Sequence, residues 1–236
     1  MTASEMDQEF LILYDKITNF DAPGYTPLEK SIFLTKAQER VFLDYYNPLG
    51  NKYREGYEGS ETRRKDLKEL TKGVTITVPS ASQTQVLPNG TFYDLPVDCL
   101  YAVSEEVTTA SADTCKNGKR IRVKPITHDE YSINKDNPFK KPDIKDCIWR
   151  LDYQGKIHEL ITDGTFTVAQ YHLRYIHRLK PIIIGAITVD GVSGPQDCEL
   201  DPIIHKRIID EAVKIATGIT DPEFYPIKTK EQQEGA

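Results

Sequence analysis

The sequence predicts an α+β protein: N-terminal helices and a C-terminal helix flanking an antiparallel β-barrel or sandwich, with long loops. Three observations predict it. Apolar residues recur at three- and four-residue steps from Met6 to Tyr45 and again from Ile204 to Ile215, the period of a helix buried along one face. From Val74 the period drops to two, the period of a strand. The pairs Asn89-Gly90, Asn117-Gly118, Asp163-Gly164 and Asp190-Gly191 then punctuate the middle of the chain with residues that tolerate positive φ.

The first helix starts at a capping box, Thr2 with Glu5, and presents Met6, Phe10, Leu13, Tyr14 and Ile17 on one side. Asp21-Ala22-Pro23-Gly24 breaks it. The second helix has Thr26 as cap, Pro27 at its first position and Glu29 closing the box. Phe33, Ala37, Val41 and Tyr45 form its stripe, and Asn47-Pro48 ends it, because the residue before proline is pushed out of the helical region. Residues 47–60 read as a glycine-rich polar loop. A short charged helix runs from Ser60 to Lys72, anchored by Leu67 and Leu70, with Gly73 as its stop. This closes a helical region, 1–73.

A β-rich region, 74–198, follows. Val74, Ile76 and Val78 alternate with polar residues, and further strands are expected at 91–95, 100–107, 120–124, 148–153, 156–161, 165–176 and 182–189. Residues 125–147, with three prolines and many charges, interrupt them as a long loop insertion. Asp201 and Pro202 open the last helix, at 199–219, expected to pack on the helical region. Its stripe is Ile204, Ile208, Ala212 and Ile215, and Gly218 is its expected end. The polar stretch 220–236 reads as an extended tail.

Composition bounds the function. The chain has 236 residues, 28% of them charged, and a net charge of -6; mean hydropathy is -0.49. A chain this long can bury a core without disulfides, but one this polar exposes long loops or completes its burial on partners. The 13 tyrosines, apolar bodies with wet tips, suit half-buried strands and interfaces. An acidic balance argues against a general nucleic-acid coat, which needs excess Lys and Arg. No stretch approaches the roughly 20 apolar residues that span a bilayer, so no membrane partner is expected. The acidic opening does not read as a secretory signal. Cys99, Cys115, Cys147 and Cys198 form no CxxC, which disfavours a disulfide scaffold and a zinc site; buried free thiols in a reducing cytoplasm are expected.

Catalytic patterns are missing: no GxSxG, no P-loop, no GxGxxG after a strand. His128, His158, His172, His177 and His205 read as solvent-facing or hydrogen-bonded, with His172 and His177 on opposite strand faces and His205 off its helix's stripe. Glu105 and Glu106, adjacent on a strand, point apart, and Asp197 and Glu199 lack a third ligand nearby; all four read as solvated surface. No catalytic, cofactor or metal site is assigned. The strongest charge feature is Lys116, Lys119, Arg120, Arg122 and Lys124 around a hairpin tip, with Arg120, Arg122 and Lys124 on one strand face and Ile121 and Val123 on the other. It reads either as an edge strand protected by charge or as a contact for an acidic partner or DNA. Arg63-Arg64-Lys65 is a second basic run, neutralised by Glu61, Asp66 and Glu69.

Three segments, in this order, resemble virion neck proteins of crAss-like tailed bacteriophages: TASEMDQEFLILYDKI with APGYTPLEKSIFLTKAQERVFLDYY, then YDLPVDCLYAVSEEV, then YHLRYIHRLKPIII with CELDPIIHKRIIDEAVKIA. The resemblance is to head-to-tail connector or adaptor proteins. It implies a structural protein assembling with itself in a closed ring, commonly of twelve copies. Such rings stack beneath the portal or against other neck and tail rings and extend the channel through which packaged DNA passes without specific binding. It also implies a place in the virion, after assembly in the host bacterial cytoplasm. Residues 125–147 have no counterpart in it. Two other classes stay open on the residues alone: a phage-encoded hydrolase with an unfamiliar site, and a nucleic-acid-binding accessory protein using 116–124.

Overall fold

A computed structural model describes residues 1–17, 24–47, 61–81 and 87–220. The expected breaker at 21–23, the side chain of Ile17, most of the loop at 47–60 and the tail from 221 lie outside them. The chain divides into two units. Met1–Leu70 with Leu179–Ala236 form a helical unit, and Thr71–Arg178 form a sheet unit. Within the described residues no helix is long and apolar enough to cross a membrane.

In the helical unit, α1 (Ala3–Ile17) and α2 (Pro27–Tyr46) begin as their sequences dictate. Thr2 and Glu5 exchange hydrogen bonds, and Thr26 and Glu29 close a second capping box, so two orphan amides are satisfied at each start. Asp197 adds a bond from the amide of Ala3 at 2.6 Å, a carboxylate at the positive end of a helix. Glu199 pairs with Lys180 at 2.8 Å. Neither acid is the free solvated group the sequence suggests.

The third helix is shorter than expected. α3 spans Glu61–Asp66, and a single 3-10 turn, Lys68–Leu70, follows it. Gly73 is not a stop but an interior residue of the first strand. Arg63 reaches back to α2: its guanidinium donates to the carbonyls of Asp44 and Tyr45 and lies over the Tyr45 ring. A cation there satisfies carbonyls that α2 leaves open at its C-terminus.

The closing helix, α5 (Pro202–Thr220), packs on α1 and α2. The Asp201 carboxylate caps it through Ile203 N at 3.1 Å. Its buried arc is wider than one stripe: Ile204, His205, Ile208, Ile209, Ala212, Val213 and Ala216 are all enclosed. His205 therefore belongs to the core, and Gly218 lies inside the helix rather than after it. Each fully buried isoleucine there contributes about 2 kcal/mol by removal from water.

The expected strand at 182–189 is mostly something else. Residues 182–184 form one isolated bridge, Ile183 with Gln196. Only Thr188–Val189 (β8) pairs, with Val192–Ser193 (β9), across the Asp190-Gly191 turn. Both turn residues have positive φ, as a two-residue hairpin requires. The backbone before it is satisfied by α2 side chains. Ser31 accepts from Ile184 N at 3.0 Å, Thr35 from Ile182 N at 3.1 Å, and Gln38 donates to Lys180 O at 2.9 Å. These three lie at helical spacing on the buried side of α2 and stand in for a neighbouring strand.

Among its described residues the sheet unit holds seven strands: β1 (Thr71–Ile76), β2 (Gly90–Asp94), β3 (Cys99–Ala110), β4 (Arg120–Pro125), β5 (Cys147–Tyr153), β6 (Ile157–Ile161) and β7 (Thr167–His177). They form one curled sheet in the order β1-β7-β3-β4-β5-β6-β2. Every pairing is antiparallel except β4 with β5, which run parallel. Parallel neighbours need a long crossover, and residues 126–146 are that crossover. The segment is not a plain loop insertion: it carries α4 (His128–Asn134), capped by Thr127 with a box to Glu130. α4 lays Tyr131 against Trp149, while Ile126 and Tyr131 close over Trp149, Leu151 and Ile161. The other face of the sheet holds the main core, including Tyr93, Val107, Ile121, Ile148, Leu160, Tyr171 and Leu173. So β6 is buried on both sides along its whole length, whereas β4 keeps one side wet.

Candidate functional site

The basic feature lies on β4 and the connection leading into it. Arg120, Arg122 and Lys124 are exposed on one side, while Ile121 is buried and Val123 packs on the core on the other. Lys116 and Lys119 sit in the β3–β4 connection, not on that strand face. Their backbones are fixed by Thr109, which is 1% exposed. Its hydroxyl takes the amide of Lys119 at 3.1 Å, and its own amide donates to Lys119 O at 2.9 Å. Gly118, at φ 71°, lets the connection turn. The exposed Cys115 lies in the same connection, so not every thiol is a buried apolar filler as the sequence suggests.

β4 is not an edge strand. β3 pairs with it from Arg120 to Arg122, and β5 from Arg122 to Pro125, so protection of an open edge does not account for its charges. Nor is the face purely basic. Thr75, His172, Glu106 and Arg122 align in register across β1, β7, β3 and β4. Glu106 reaches Arg120 at 3.4 Å, with both side chains largely exposed, a geometry worth little in water. His172 is held by hydroxyls on either side, Thr75 at 3.0 Å and Thr108 at 2.8 Å. Thr75, Ser104, Glu106, Arg120, His172 and Arg174 line a shallow depression of about 260 Å³.

The opposite side of the sheet holds an ionic network the sequence reading missed. Glu105, read as solvated, has a side chain only 5% exposed. It accepts from Arg150 at 2.6 Å and from the Tyr171 hydroxyl. His158 lies 2.8 Å from the Tyr171 oxygen and 3.2 Å from Asp152, which also pairs with Arg150 at 3.1 Å. Glu106, one residue on, faces water, so the pair does point apart as expected. Burial disfavours the charged guanidinium of Arg150, but the Glu105 carboxylate outweighs it and holds the charge. The hydrogen bond from His158, with Arg150 beside it, keeps Asp152 below the usual carboxylate range against its partial burial. Burial, reinforced by Glu105, pushes the Tyr171 phenol far upward, so it stays a donor. The one legible hint was Arg150 and Asp152, opposite charges two apart in the strand IWRLDY and hence on one side.

Arg150, Asp152 and His158 of this network line a cavity of about 680 Å³ together with Leu95, Leu100, Tyr101, Lys156 and Arg178. Its polar groups are engaged with one another and tie β3, β5, β6 and β7 together. A second buried acid, Glu159, accepts from Leu87 N and the Tyr153 hydroxyl, each at 2.8 Å. A Cβ on Gly90 would come within 2.3 Å of its carboxylate, which explains a glycine at that position. Among the described residues, no group of three or more His, Cys, Asp or Glu side chains could hold a metal ion.

Similarity to known proteins extends over nearly the whole chain. Residues 1–221 match the model of a family described as phage tail ring protein 3/4. The chain is 36% identical to "Ring protein 4/5" of Bacteroides phage crAss001 over 227 residues, 92% of each chain. It is 31% identical to "Ring protein 3" of the same phage, over 92% of this chain and 95% of that one. On that end-to-end match, with both units included, the chain belongs to the phage tail ring protein 3/4 family.

Proposed function

We propose that this protein is a structural virion protein that closes into a ring in the neck of a crAss-like phage. There the ring joins portal to tail, stacks on neighbouring rings and extends the channel for DNA. One observation carries the reading: the likeness to two ring proteins of one phage runs through both units at nearly equal lengths. The chemistry agrees with it. A net charge of -6 suits a wall past which DNA slides, since a basic lining would hold phosphates. The buried ionic network braces the sheet and is assigned no catalysis. Lys116, Lys119, Arg120, Arg122 and Lys124 are assigned to an acidic protein surface rather than to DNA, because Glu106 stands among them.

Electron microscopy and mass spectrometry of virions test the proposal. The expected result is a closed ring of this chain, twelve copies round, between portal and tail. Absence from purified particles would overturn it. Salt-dependent DNA binding that is lost on Arg120→Glu with Arg122→Glu would instead favour a nucleic-acid accessory protein.

A further inference from the structure

The crossover between β4 and β5 does more than connect them. Phe139 holds its ring 96% exposed, and Ile133, at the end of α4, is 77% exposed. The turn that carries Phe139 is fixed. Asn137 N donates to Asn134 O at 3.0 Å, the Asn137 side chain accepts from Phe139 N at 3.0 Å, and Lys140 N and Lys141 N both donate to Asn137 O. Ile126, Tyr131 and Ile144 anchor the segment on the cores beneath. Lys135, Lys140 and Lys141 lie within four residues of Phe139 in the chain, and all are exposed. None of the three makes an ion pair among the described residues. A fully exposed phenyl ring held on a hydrogen-bonded turn is placed to meet a partner surface, and the lysines near it in the chain select an acidic one.

The same chain displays such a receptor. On α1, Glu5, Gln8, Glu9, Ile12 and Asp15 stand at three- and four-residue steps, opposite the buried Met6, Phe10 and Tyr14. Ile12 is 55% exposed, and the carboxylates beside it are at least partly exposed. We propose that Phe139 and Ile133 of one copy dock on the Ile12 stripe of α1 in the next copy. Lys135, Lys140 and Lys141 then face Glu5, Glu9 and Asp15. Two different patches of one chain meeting in this way make a heterologous contact, the kind that closes a ring. The contact rests on the ring reading above and names the anchor of its interface, not its whole area.

Native mass spectrometry and sedimentation of the full chain across a concentration series test this. Phe139→Ala raises the concentration for half-assembly about thirty-fold, as loss of an interface anchor does, with the thermal midpoint of the monomer unchanged. Lys140→Glu with Lys141→Glu weakens assembly, and so does Glu9→Lys with Asp15→Lys. Combining all four reversals in one chain restores it. The contact is overturned if Phe139→Ala assembles like the wild type, or if the combined variant assembles no better than either pair alone. A wild-type chain that stays monomeric at every concentration overturns the ring reading itself.

Discussion

The two units hide polar groups by different means. In the helical unit neutral side chains satisfy the buried irregular backbone: Ser31, Thr35 and Gln38 on α2 bond the extended segment at 180–184, beside an enclosed lysine, Lys30, paired with the partly exposed Asp7 at 2.6 Å. In the sheet unit the interior holds charge, with Glu105 and Arg150 enclosed between Tyr171, His158 and Asp152. The difference has a geometric root. A helix satisfies its own backbone, so its buried side can lend hydroxyls to a neighbour. Side chains two apart on one strand and opposite on the next are forced together, so a charge placed there must find its counter-charge nearby or stay desolvated alone.

This contrast can be broken by mutation. Arg150→Met leaves the Glu105 carboxylate enclosed without its cation, and the expected loss is about 3–5 kcal/mol in urea unfolding. Replacing both, Glu105→Leu with Arg150→Met, costs less than the two single losses combined. Thr35→Val keeps the shape but orphans the Ile182 amide, for about 1–3 kcal/mol, and Thr35→Ser recovers most of it. If Thr35→Val costs as much as Arg150→Met, the two interiors are not different in kind.

Acid sharpens the same contrast. Burial holds His205 below its ordinary value of 6.5. As pH falls through that value the unfolded chain takes up a proton that the folded helical unit resists. Its contribution is therefore complete above about 6.5 and is lost below. Asp152 is shifted down from 3.8, so its contribution is present above that value and lost only in stronger acid. Unfolding followed against pH should show His205→Gln flattening the slope between pH 7 and 5. Asp152→Asn should change only the slope below about pH 4. The smallest effect is expected at Arg120→Gln: the exposed pair with Glu106 is worth under about 0.5 kcal/mol, and no shift in the unfolding midpoint should be detectable.

What the residues disclosed in advance was local. Thr2, Thr26 and Asp201 cap where their neighbours say they must, and β4 alternates as its letters do. The relation of β4 to β5 was hidden because a parallel pairing is set by strands twenty residues apart, with nothing local to mark it. His205, expected to be solvent-facing or hydrogen-bonded, does bond Leu200 O at 2.9 Å; its enclosure was hidden because α5 is covered over a broad arc by α1 and α2, not along a single stripe. Of the charged groups, β4's exposed trio was legible from its spacing. The Glu105 network was not, since its four strands meet only in the folded sheet.

The order of the chain has a consequence for how the molecule is made. The helical unit is written in two pieces, with the sheet unit between them, and Thr71 pairs with Ile176 so that the inserted piece leaves beside the point where it entered. During synthesis the sheet can close on itself as soon as β7 emerges. α1 and α2 must wait, their apolar sides uncovered, until α5 leaves the ribosome. Truncation before Pro202 would strand them permanently, and the product should go to chaperones or aggregates rather than to particles.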